Sequence, residues 1–252
     1  MTAAVRWMPD LAVRIDRGYA ASTATPGYAM GEILIADDHP LFREALKGAV
    51  AAALPGATIR EARDVGSLLA LTDDHPQAEL LLLDLNMPGA NGFSALVHVL
   101  ASCPGLPVVV VSAREDADTV RRALAHGAAG FIPKSADVPT LVGALRTILD
   151  GGTWAPPEVP RGATLEPEEA QLARRLAELT PQQFRVLGMV CTGLLNKQIA
   201  YELQVSEATV KAHMTAIMRK LGVHTRTQAV MLAGKLALDQ ASVRPPPEDD
   251  EG

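Results

Sequence analysis

Between residues 30 and 150 short apolar runs alternate with stretches of helical periodicity. This alternation restricts the possible folds more than any other feature of the 252-residue chain. The runs at 33–36, 57–61, 80–84, 107–112 and 130–132 have the length of strands. Helical patterns fill the gaps, roughly at 40–53, 65–72, 92–101, 116–126 and 137–149. Five strand–helix pairs in succession predict one parallel sheet covered by helices, because parallel neighbours require a long crossover. Aromatic residues are only 4%, so the core must come from Leu, Val, Ile and Ala, which suits such a sheet.

In a doubly wound sheet function gathers at the carboxyl ends of the strands. Asp37 and Asp38 follow the first strand, Asp84 ends the third, Ser112 ends the fourth and Lys134 follows the fifth. In a flavodoxin-like order the first and third strands are neighbours, so the three acids share one cleft. Three close carboxylates repel one another, and a hard divalent cation such as Mg²⁺ relieves that repulsion with oxygen ligands. Singly, each residue has a plainer use. The Asp pair before His39-Pro40 caps a helix equally well. Asp84 before Leu-Asn-Met-Pro-Gly suits a turn, and Lys134 suits a solvated surface. All of them fall at the same end of the sheet, which their separate uses do not require.

The formal net charge of −6 argues against nucleic acid only until it is divided. Residues 30–150 carry nine Lys/Arg against fifteen Asp/Glu, while residues 180–235 carry seven against two. An acidic domain is joined to a basic one. The organisation expected is an N-terminal extension at 1–30, disordered by composition, a first domain at 31–150 and a linker at 151–179. A second domain follows at 180–240, then an acidic, Pro-rich tail at 241–252. The linker opens with GGTWAPPEVPRGAT and turns helical and charged from Glu166 to Leu179. No apolar run approaches the ~20 residues of a membrane helix, and no secretory signal is apparent, so a cytoplasmic protein is expected. Cys103 and Cys191 lack metal-ligand spacing and read as buried reduced thiols.

In the basic domain Ile199, Ala200 and Leu203 make one apolar face, Gln204-Val205-Ser206 interrupts it, and Ser206 is a natural N-cap. Val210, Met214, Ile217, Met218 and Leu221 then mark an amphipathic helix whose other face carries Lys211, Ala212, Thr215 and Arg219. Two helices across a tight turn, the second with a basic outer stripe, read as a helix-turn-helix. A small helical bundle with a solvated charged face is the plainer alternative.

Four segments, IADDHPLFREAL, LLLDLNMPGANG, VVVVSA and GAAGFIPKS, resemble the signatures of response-regulator receiver domains. The segment from LTPQQFRVL to HTRTQAV resembles a LuxR-type DNA-binding domain, and the two halves together resemble a NarL/FixJ-type response regulator. The resemblance implies a (βα)5 receiver followed by a small all-α domain. It implies that Asp84 accepts a phosphoryl group from a sensor histidine kinase. Asp37, Asp38, Asp84 and the backbone carbonyl of Asn86 would hold Mg²⁺. Lys134 and Ser112 would contact the phosphoryl oxygens, and Phe131 would change rotamer with Ser112. The change would be felt at the face of the fourth helix, fifth strand and fifth helix.

In the second domain Lys211, Ala212 and Thr215 would face bases. Asn196, Lys197, Thr209, His213, Arg219 and Lys220 would face phosphates. A last helix at 225–238 would pair two subunits on promoter DNA, with RNA polymerase a further partner. PQQFRVL departs from the family pattern by lacking its Arg-Glu pair, which removes an expected surface salt bridge. Asn86 stands where phosphatases that use an aspartate nucleophile place a general acid, which argues against an enzyme. The alternative function is a phosphorylation-independent regulator acting through protein partners. The charge division further suggests that the acidic domain masks the basic one.

Overall fold

The computed structural model describes residues 31–90, 92–159 and 164–236, so the expectations for the N-terminal extension, the acidic tail and residues 237–238 lie outside it. The strands are β1 (Glu32–Ala36), β2 (Thr58–Ala62), β3 (Leu80–Asp84), β4 (Val108–Ser112) and β5 (Gly130–Pro133). They pair in parallel in the order β2-β1-β3-β4-β5. The intervening helices are α1 (Pro40–Ala53), α2 (Val65–Asp74), α3 (Ser94–Ser102), α4 (Ala117–Ala125) and α5 (Val138–Leu149).

Strand alternation sorts the core into two layers. Ile33, Ile35, Leu80, Leu82, Val109, Val111 and Ile132 pack with Leu46 and Val50 of α1 and with Leu141, Leu145 and Ile148 of α5. Leu34, Leu81, Leu83, Val108, Val110 and Phe131 face the other way, towards α2, α3 and α4. Local chemistry fixes the helix starts. Pro40 opens α1. Asp64 and Ser67 form a reciprocal capping box on α2. Asp116 and Asp137 cap α4 and α5.

The charged linker segment forms α6 (Pro167–Ala177). The basic segment forms α7 (Pro181–Cys191), α8 (Asn196–Glu202), α9 (Glu207–Leu221) and α10 (Arg226–Gly234). The α8–α9 turn places Gln204 at φ 53°, a left-handed conformation uncommon outside glycine. Ser206 Oγ accepts from the Thr209 N–H at 3.1 Å to start α9, and Gly222 at φ 70° ends it.

The side of the receiver bearing α2, α3 and α4 continues without a break into the second domain's core. Helix α6 packs on α3, and α7 packs on α2. The consequence is visible in α3, where Ser94, Ala95, Leu96, Val97, His98 and Val99 are all buried. A helix lying on a sheet leaves one side open unless a second layer covers it. The docking surface is thus the α2–α3–α4 side, sharing only α4 with the face expected to transmit the signal. Cys103 and Cys191 are half-buried, not enclosed as expected.

Candidate functional site

The five strand ends converge as the order of the sheet requires. Asp37 and Asp84 are each 1% exposed in their side chains, and Lys134 is 13% exposed. The Lys134 ammonium lies 2.6 Å from Asp37 Oδ2 and 2.8 Å from Asp84 Oδ2. It also lies 4.9 Å from the centre of the Phe42 ring, a cation–π contact that keeps its stem in place. Asp84 Oδ1 accepts from the Asn86 N–H at 3.1 Å, and Asp37 Oδ1 accepts from the His39 N–H at 2.7 Å. The Asp37 carbonyl accepts from Arg43 Nη1 at 2.7 Å, which ties the β1–α1 corner to the helix.

Burial pushes the Asp84 carboxyl above its ordinary range. The Lys134 ammonium and the Asn86 N–H pull it back, and the charge on Asp37 raises it further. Asp37, Asp38, His39 and Asp84 each offer a ligand atom within 4.8 Å of the others. Three carboxylates gather there and only Asp37 and Asp84 reach the Lys134 ammonium, so the donor set fits a hard divalent cation. The carboxylates open onto a cleft of about 430 Å³ lined by His39, Leu41, Phe42, Asp84, Asn86, Ala113 and Lys134. Ser112 is fully buried at the end of β4. Its Oγ accepts from the Arg114 N–H at 3.1 Å, and its carbonyl accepts from the Lys134 N–H at 2.8 Å. Phe131 is fully buried in β5, beside Val110 of β4 in the register. The sequence pattern did not single out Phe42, whose role depends on a fold that carries α1 back over the strand ends.

In the second domain Lys211, Ala212, Thr215 and Arg219 form an exposed face of α9, with Thr209 exposed and His213 half-buried. Lys197 is exposed at the start of α8. Two of the residues grouped with them also make bonds within the domain. Asn196 Oδ1 accepts from Arg226 Nη1 at 3.0 Å. The Lys220 ammonium donates to the Glu178 carbonyl at 2.7 Å and to Gln183 Oε1 at 2.8 Å. Lys220 therefore holds the approach to α7 instead of standing free. Gln183, which belongs to the divergent PQQFRVL segment, also closes a capping box with Thr180.

The expected masking of the basic face by the acidic domain does not occur in this arrangement. The exposed α9 face is not the docked one. Contact runs through α6, α7 and the end of α10. Phe184 of α7 stacks on His98 of α3, with ring centres 4.2 Å apart and planes parallel. Glu169 of α6 accepts from Arg122 Nε at 3.0 Å and pairs with His126 Nε2 at 2.7 Å. The Phe93 N–H donates to the Leu236 carbonyl at 3.0 Å. None of these residues was marked as functional in the sequence. The signal present was an α3 segment, SALVHVLAS, apolar on both sides.

Comparison with known proteins follows this division. The family model described as response regulator receiver domain matches residues 33–146. The model described as bacterial regulatory proteins, luxR family, matches residues 177–233. A glycerol metabolism activator of Pseudomonas putida is 44% identical over 213 residues, covering 82% of this chain and 96% of its own. The nitrate/nitrite response regulator protein NarL of Escherichia coli K12 is 30% identical over 201 residues, covering 79% and 93%. Among solved structures, RcsB of Salmonella enterica serovar Typhimurium bound to a promoter matches with TM-score 0.49 at 22% identity. That match covers 82% of this chain and 99% of the other.

Proposed function

The chain belongs to the response regulators that join a receiver domain to a LuxR-type DNA-binding domain, and from that premise we propose that phosphorylation of Asp84 sets its activity on promoter DNA. The observation that carries the proposal is the convergence of Asp37, Asp84 and Lys134 within ion-pair distance at the mouth of an open cleft. One Asp84 carboxylate oxygen attacks phosphorus in line. The P–O or P–N bond of the donor breaks, and the leaving group departs with the bond electrons. Lys134 stays beside the transferred group and balances part of its charge. Ser112 Oγ lies at the neighbouring strand end, where its hydroxyl can donate to a phosphoryl oxygen.

Asp37, Asp38, Asp84 and the Asn86 carbonyl would hold Mg²⁺, which when bound neutralises charge on the carboxylates and the phosphoryl group. A partner histidine kinase is the proposed donor in a cytoplasmic setting. Among the described residues no helix is long and apolar enough to cross a membrane. Lys211, Ala212 and Thr215 are proposed to meet base edges, with Asn196, Lys197, Thr209, His213, Arg219 and Lys220 on the phosphates. Two subunits would read two half-sites through α10, and RNA polymerase would be met at the promoter.

A gel shift with DNA selected by the protein, with and without acetyl phosphate and Mg²⁺, tests the reading. Binding should strengthen with the donor and lose the gain when the metal is chelated. Equal binding under all conditions would favour a regulator that ignores phosphorylation. Lys211→Ala should weaken binding to selected DNA by about 1–3 kcal/mol while leaving random-sequence binding nearly unchanged. An equal loss on both DNAs would make Lys211 a phosphate contact instead.

A further inference from the structure

The Lys134 ammonium meets three side chains, and two of them are taken up by the proposed chemistry. It donates to Asp84 Oδ2 at 2.8 Å and lies 2.6 Å from Asp37 Oδ2. Asp84 is the proposed phosphoryl acceptor, and Asp37 is a proposed metal ligand that would share its charge with the cation. The third side chain is Phe42, whose ring centre lies 4.9 Å from Nζ. Its ring offers no oxygen or nitrogen to a metal ion and no positive charge to a phosphoryl group, so this contact stays when the other two change.

Phe42 stands in the first turn of α1, and that turn is fixed on both sides. Arg43, next in the chain, donates from Nη1 to the Asp37 carbonyl at 2.7 Å and from Nε to Glu61 Oε2 at 2.8 Å. Phe42 is half-buried and packs on the core layer between the sheet and α1, whereas Leu41 beside it is 88% exposed. Lys134 is anchored at its backbone, where its N–H donates to the Ser112 carbonyl at 2.8 Å. Beyond that point four flexible methylenes carry the ammonium.

We propose that Phe42 is a positioning residue for phosphoryl transfer, its ring face keeping the Lys134 ammonium at the cleft while the bond to Asp84 is given up. An aromatic face attracts a cation through its quadrupole. It accepts no conventional hydrogen bond, so it leaves the ammonium N–H groups free to turn to phosphoryl oxygens. It is also neutral, and adds no fourth negative charge to a site that must admit an anion. A carboxylate in its place would repel the donor. A leucine would fill the space and attract nothing. The effect on transfer rests on the phosphorylation reading above, whereas the hold on Lys134 is measurable in the unphosphorylated chain.

The test compares full-length Phe42→Leu, Phe42→Tyr and a chain with trifluorinated phenylalanine at position 42 with the natural chain. Fluorination keeps a six-membered ring in place and withdraws charge from its face, so a role in packing alone would survive it. The rate of labelling by acetyl phosphate with Mg²⁺ reads the chemistry. The NMR order parameter of the Lys134 ε-carbon, in the metal-free unphosphorylated chain, reads the hold. Phe42→Leu and the fluorinated chain should label about three- to thirtyfold more slowly, with a lower order parameter. Phe42→Tyr, which keeps the ring face, should stay within about twofold of the natural rate. A fluorinated chain that labels at the natural rate overturns the proposal. Slower labelling with an unchanged order parameter also overturns it, because the ring would then act elsewhere than on Lys134. Should Phe42→Leu fail to fold, the fluorinated chain decides. If the natural chain takes no label, the phosphorylation reading fails and with it the effect on transfer, while a lower order parameter on fluorination still upholds the hold on Lys134 and an unchanged one overturns that too.

Discussion

Asp84→Asn should take up no covalent phosphate from acetyl phosphate and Mg²⁺, where the natural chain forms an acid-stable, base-labile adduct. The amide keeps the shape of the side chain and its place beside the Asn86 N–H, so the receiver should still fold. What it lacks is the anionic oxygen that attacks phosphorus. The natural carboxyl already sits above its usual pKa because it is buried and close to Asp37. Removing one of the crowded charges should therefore not lower thermal stability, although it should weaken binding of a divalent cation at least tenfold. Phosphate-affinity electrophoresis and a thermal melt on the same samples check both statements. Labelling at the natural level would dismiss Asp84 as the acceptor, while loss of label accompanied by unfolding would leave the chemistry to Lys134→Ala.

Acidification should undock the two domains through His98. The ring is fully enclosed between α3 and the second domain, with Phe184 stacked upon it and Ser102 Oγ 3.5 Å from its Nε2. Burial lowers its pKa from 6.5 to about 4, with the Leu176 carbonyl pulling weakly the other way. The neutral ring is the form that fits. Docking is therefore at full strength above pH 6.5, weakens as the pH falls, and has lost the whole contribution below about 4. With the ring at 6.5 when undocked and about 4 when docked, the loss between pH 7 and pH 5 is about 2 kcal/mol. His126 has the same sign, because burial lowers its pKa and Glu169 only partly offsets this. Protection factors over α3, which remove the slowing of intrinsic amide exchange in acid, should fall by more than tenfold across that interval in the natural chain and much less in His98→Phe. Identical pH slopes in the two chains would remove His98 from the account.

Much of the first domain was legible because the physics that builds it is local. Strand-length apolar runs such as LLLLD and VVVVS need only their own residues to announce themselves, and Asp64, Asp116 and Asp137 mark helix starts within three positions of the amides they cap. The clustering of Asp37, Asp84 and Lys134 was also legible, since a parallel sheet sends every strand end to one side. Lys220 and Asn196 were not. Each is an exposed-looking polar residue in sequence, yet each meets a partner thirty or more positions away, Gln183 for one and Arg226 for the other. His98, Phe184 and Gly188, where an added methyl would lie 2.7 Å from the Gly89 carbonyl oxygen, were missed for the same reason. An apolar helix side does not say what will cover it, and a glycine does not name the backbone that approaches it.

The sequence by itself determined the strands and their parallel direction, the acids at one end of the sheet, the helices and the basic stripe of α9, while the strand order came from the pairing in the structure. Periodicity and chain connectivity leave little choice in these. Tertiary structure alone decided which side of the receiver the second domain occupies, that the basic face stays open, and that two histidines, His98 and His126, are sealed at the junction. Those outcomes depend on shape complementarity between surfaces separated by a linker, and no local pattern encodes such a match.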